Sequence, residues 1–170
     1  MPRMSKPLEA REALLAAWRA NDRVTAYLVE RIPAGLWDMS VPGAPRRTVR
    51  SIAAHIHNAR CGWMRRSGRI GGQPVAAVVD GARVTKRQLL AALKCSGRQM
   101  SQVFERALDR GGAVPGFPLG VVAFLAYAAA HEGHHRGQLC TIVRQLGQRL
   151  PDQVLIGLWE WPKRLKEAGG

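Results

Sequence analysis

Acidic residues are scarce in this chain. Its 170 residues carry 12 Asp and Glu against 26 Lys and Arg, a formal net charge of +14. A surplus of that size permits nucleic acid or other anionic partners. The arginines are nevertheless dispersed over every segment, and the longest basic run is a pair, as at Arg46-Arg47 and Arg65-Arg66. No basic stretch is interleaved with aromatics, so a solvated basic surface is favoured over a nucleic-acid site.

Cysteine is equally sparse. Cys61, Cys95 and Cys140 are odd in number, far apart and form no CxxC pair, which excludes a secreted disulfide framework. Each sits in a helical pattern, where a small half-buried thiol is expected rather than a catalytic one. No long apolar run follows Met1-Pro2-Arg3, and Leu8 to Ile32 is amphipathic and rich in charge. Neither a signal peptide nor a membrane span is therefore expected, and the expected setting is cytoplasmic. Strand signals are few; Val75 to Val79 is too short and isolated for a sheet, though a brief extended segment fits it.

What remains is helical. The length suits one domain, residues 1–170, with a single core. Four long patterns stand out, the first from about Pro7 to Ile32, stopped by Pro33-Ala34-Gly35. A loop with Trp37 and Pro42-Gly43-Ala44-Pro45 leads to the second, about Thr48 to Ser67, with Thr48 as N-cap. After the long connection Gly68 to Ala82, Thr85 and Gln88 have capping-box spacing and open the third, which runs to Arg110. The fourth spans about Leu119 to Gly147, and Pro162 in the apolar tail with Trp159 and Trp161 begins a last turn or two. The expected fold is all-α: a four-helix bundle with long connections and a short C-terminal extension.

Three of the five histidines lie within His131-Glu132-Gly133-His134-His135 on the fourth pattern. At 100° per residue, Val121, Phe124, Ala128, Leu139, Ile142 and Leu146 share a face. His135 lies roughly 20° from its centre, His131 roughly 55° and His134 roughly 115°. His131 and His135 are thus expected to point inward together, with His134 at the edge. Two imidazoles buried without partners would each lose a few kcal/mol of hydration, so the pairing points to a metal. On the second pattern, His55 lies roughly 80° from the inner face and His57 roughly 120° on the other side. His55 is the better third ligand and His57 remains its rival. Three neutral imidazoles suit Zn, Ni or Fe and leave positions open for water or substrate.

The same stretch satisfies H-E-x-x-H, the zinc-protease helix, with Glu132 as general base and Glu160 as a conceivable downstream ligand. The extended protease motif fails, because Gln138 and Thr141 stand where glycine and the third histidine belong. No convincing sheet edge exists to present a peptide, so this reading is disfavoured. Glu132, roughly 45° from the inner face, and Gln138, one turn beyond His135, are candidates to support the ligands from behind. Glu132 equally fits a salt-bridged carboxylate. Arg136 and His134 fall towards the edge of the site or a dimer contact.

The run His131-Glu132-Gly133-His134-His135-Arg136-Gly137-Gln138-Leu139, followed by Arg144-Gln145-Leu146-Gly147 and Pro151, resembles the last-helix signature of DinB/YfiT-like proteins. Thr48 to Ile56 resembles their first-ligand stretch. The resemblance implies a four-helix bundle, often a homodimer, with a divalent metal on His55, His131 and His135. It also implies a small-molecule substrate and thiol-dependent transferase or isomerase chemistry with a low-molecular-weight thiol. Water at an open metal position would instead give hydrolase chemistry. The alternative from another class is a non-catalytic basic protein that binds nucleic acid and holds a structural metal.

Overall fold

The computed structural model describes residues 9–67 and 74–169. The expected start at Pro7 and the Gly71-Gly72-Gln73 part of the long connection lie outside them. The four helical patterns are four long helices: α1 Ala10–Arg31, α2 Val49–Arg66, α3 Lys86–Asp109 and α4 Gly120–Gln145. α1 packs against α3 and α4, and α2 against the same two. Among the described residues no helix is long and apolar enough to cross a membrane.

The capping signals act as the sequence implies. Thr48 and Ser51 form a reciprocal capping box at the start of α2, and Thr85 and Gln88 do the same for α3. α4 ends where Gly147, at φ 83°, takes the left-handed conformation that only glycine adopts freely. The Gly147 and Gln148 N–H groups donate back to the Arg144 and Val143 carbonyls, satisfying the last turn.

Two features differ from expectation. The loop through Pro42-Gly43 is a small antiparallel hairpin, β1 Ser40–Val41 with β2 Ala44–Thr48. Pro42 and Gly43, the latter at φ 75°, supply the turn that closes it. The tail adds a short helix, α5 Asp152–Gly157, before the expected last turns, α6 Trp161–Ala168. Pro162 sits in the first turn of α6, which lies along α1 with Arg164 stacked 4.0 Å from the Tyr27 ring centre. The Val75–Val79 stretch forms no strand.

The core has two apolar ends. One gathers Leu28, Ile32, Ile56, Leu93 and Leu139; the other gathers Trp18, Met64, Phe104 and Phe124. Between them each long helix places buried polar side chains: Asn21 and Thr25 on α1, His57 and Arg60 on α2, Ser96 on α3 and Glu132 on α4. This polar layer fixes how the helices sit at the level of the histidines.

Candidate metal centre

Glu132 explains the geometry of α4. It occupies the inward position of the stripe Val121, Phe124, Ala128, Glu132, His135, Leu139, and is fully buried. Measured from Glu132, His131 and His135 lie roughly 100° and 60° round the helix to the same side, towards α2. The expectation of inward-pointing imidazoles holds for His135 and is corrected for His131. His135 is buried, but His131 is half-buried and His55 exposed, so the cluster lies in a surface seam between α2 and α4.

In that seam the three rings converge through one kind of atom. His131 Nε2 lies 3.3 Å from His55 Nε2 and 3.2 Å from His135 Nε2. One ligand nitrogen from each residue falls within 4.8 Å of the others, a spacing that could hold a metal ion. His131 has no ordinary partner: its Nδ1 is buried and unbonded among the described residues, while its Nε2 faces two other nitrogens. Three imidazole nitrogens brought this close could hold a cation between them. The donor set, all imidazole and reached from solvent at the exposed His55, is one that suits a divalent metal ion.

The environment keeps the rings neutral, as ligation requires. Burial, then the neighbouring His135 and His55, push the His131 pKa down to about 4. Burial also lowers His55, with Arg47 adding to the effect, and lowers His135 despite its bond to Gln138. Behind the cluster, Gln138 Oε1 lies 2.9 Å from His135 Nδ1. With Nε2 turned to the shared point, Nδ1 carries the proton and donates to that oxygen, which fixes the tautomer. Trp63 closes the other side, its ring edge-on to His131 with centroids 5.0 Å apart.

A scan against family models matches the DinB family over residues 4–160. The chain belongs to the DinB family. No curated protein and no solved structure matches it.

The other expected residues fall elsewhere. His57, the rival to His55, sits on the opposite flank of α2 and is fully buried. Its Nε2 donates to the Ala77 carbonyl at 2.9 Å and its Nδ1 accepts from Ser96 Oγ at 3.0 Å. It is a satisfied core histidine. Of the two roles open to Glu132, the salt-bridged carboxylate is the one it takes, and it makes no hydrogen bond to the clustered histidines among the described residues. Arg60 Nε and Nη2 donate to its two oxygens at 2.7 and 2.9 Å, and Asn21 Nδ2 and Thr25 Oγ1 add bonds of 3.0 and 2.7 Å. All four donors belong to α1 and α2, because the inward direction of α4 meets those helices.

That geometry also removes the zinc-protease reading, whose glutamate must face the metal-bound water. Glu160, its conceivable downstream ligand, instead pairs with Lys163 and Arg164. Arg136 is drawn inward rather than left at the edge, donating to Asn21 Oδ1 at 2.9 Å and Thr25 Oγ1 at 2.8 Å. Burial raises the Cys61 and Cys140 thiols, which suits inert packing.

From the sequence alone, Arg60 has no assigned role and Arg47 only a place in a basic pair. For Arg60 a signal existed: it continues the stripe Val49, Ile52, Ile56, where a charge demands a buried counter-charge. Arg47 gave no such signal, because only the hairpin brings it to the site.

Proposed function

We propose that this chain is a metal-dependent DinB-type enzyme in which His55, His131 and His135 hold one divalent cation, Zn, Ni or Fe. The observation that carries the reading is the convergence of three imidazole Nε2 atoms, which lie 3.2 and 3.3 Å from the central one. When bound, such a cation supplies Lewis acidity, lowering the proton affinity of a water or a small thiol.

The chain's own residues do the rest. Gln138 holds the His135 ring and its tautomer, and Trp63 limits how His131 can turn. The exposed side of His55 leaves the seam open to a small molecule. The finer architecture, a four-helix bundle, is supported by the packing of α1 and α2 against both α3 and α4. Transferase or isomerase chemistry with a low-molecular-weight thiol and a homodimer belong to the same reading and rest on the family resemblance. Hydrolase chemistry rests on an open metal position for water, and a cytoplasmic setting on the sequence patterning alone.

Elemental analysis of the untagged protein tests the metal. About one divalent ion per chain is expected, and His55→Ala, His131→Ala and His135→Ala should each lose it while keeping their helical circular dichroism. A wild-type protein that stays metal-free after incubation with zinc, nickel and ferrous iron overturns the reading. For the thiol chemistry, conjugation of an electrophile should require both metal and added thiol. Inactivity with every common cellular thiol removes that part alone.

A further inference from the structure

A cleft of about 370 Å³ opens beside the histidine cluster. Arg47 from β2 and His134, Gln138 and Thr141 from α4 line it, with Ile52 and Ile142 as apolar surface. Gln138 belongs to both the cleft and the cluster. Its Oε1 is engaged by His135, and its amide N–H groups have no protein acceptor among the described residues. Arg47 is exposed and makes no ion pair among the described residues, whereas nearby Arg50 holds Asp38 at 2.7 Å.

The polar lining is therefore rich in hydrogen-bond donors. Guanidinium, amide, hydroxyl and imidazole N–H groups are available, and none of the lining residues is Asp or Glu. Positive charge above an apolar floor, in a volume suited to a small molecule, is complementary to an organic acid. We propose that this cleft is the binding subsite for a carboxylate group on the small molecule processed at the histidines, with Arg47 as its counter-ion. The position of the reacting end rests on the metal reading; the carboxylate subsite itself does not.

Benzoate is a suitable probe, because it joins a carboxylate to an apolar ring, and benzamide is its neutral counterpart. Both are titrated by NMR or calorimetry into the zinc-loaded and the chelator-treated protein. Benzoate should bind the metal-free protein and outcompete benzamide. Arg47→Gln should weaken it about tenfold or more, the usual effect of losing a charged hydrogen bond. Arg47→Lys should restore part of the loss. Arg46→Gln, which alters the exposed neighbour outside the cleft, should change nothing.

Unchanged melting curves would show that the hairpin variants fold. Equal binding of benzoate and benzamide, no benzoate binding to the metal-free protein, or indifference to Arg47→Gln overturns the proposal. Arg47-dependent binding in a protein that takes up no metal upholds the subsite and removes the metal reading. Metal uptake with Arg47-independent benzoate binding does the reverse.

Discussion

Arg60 on α2 and Glu132 on α4 form a two-pronged ion pair, 2.7 and 2.9 Å, in which both side chains are fully buried. Arg60 also reaches Asp22 Oδ1 on α1 at 2.6 Å and the Leu93 carbonyl on α3 at 3.2 Å. One guanidinium thus touches all the other long helices, at the level where the histidines emerge. Gly97 makes room for the arrangement, since a Cβ there would collide with the Asp22 carboxylate.

Removing one partner strands a buried charge. Glu132→Leu should destabilise the protein by about 3–5 kcal/mol in urea unfolding, and Arg60→Met by a similar amount. The double variant should lose clearly less than the two single losses added together, because neither charge is then left alone. Strict additivity would mean that the pair is not a coupled unit.

The chelated protein should lose stability as pH falls. Folded His131 has its pKa lowered to about 4, by burial first, while the unfolded ring titrates near 6.5. Between those values the unfolded state binds more protons. This contribution is fully present above about pH 6.5 and is lost on the way down to about 4. His55 and His135 shift in the same direction. Glu132 extends the loss at lower pH. Burial alone would raise it, but the charge and hydrogen bonds of Arg60 lower it. Asp22 opposes in part, since burial raises it. Urea midpoints that stay flat from about pH 7 to about pH 4 contradict this account.

His57 and His55 should respond in opposite ways. His57→Ala should keep its metal and lose about 1–3 kcal/mol, because the Ala77 carbonyl and Ser96 hydroxyl lose their buried partner. His55→Ala, at an exposed position, should lose the metal with little change in metal-free stability. Metal content and unfolding curves on both variants decide the matter, and metal loss in His57→Ala would reverse the assignment.

Gln138→Ala removes the acceptor that orients His135. Metal affinity, measured by competition with a chromophoric chelator, should fall about 10–100-fold with the fold intact. Gln138→Glu should restore affinity by accepting the same N–H. Unchanged affinity in Gln138→Ala would remove Gln138 from the site.

The sequence by itself determined the four long helices, the caps of α2 and α3, and the pairing of His131 with His135, with His55 and His57 as rivals for the third place. Those are local facts: period 3.6, Thr48 and Thr85 before their helices, and the four-residue spacing of His131 and His135. Which way the rings face was decided only by tertiary packing. The apolar residues of α4 put the centre of its inner face near His135, but Glu132 took that place because Arg60, Asn21 and Thr25 converge there from two other helices. That choice turned His131 away from the interior and into the α2–α4 seam, with His135 still buried beside it. Tertiary packing likewise set His57 against Ser96 and Arg47, on its hairpin, at the cleft beside the cluster. A charge inside an apolar stripe is visible in a sequence, but its partner becomes known only when the helices meet.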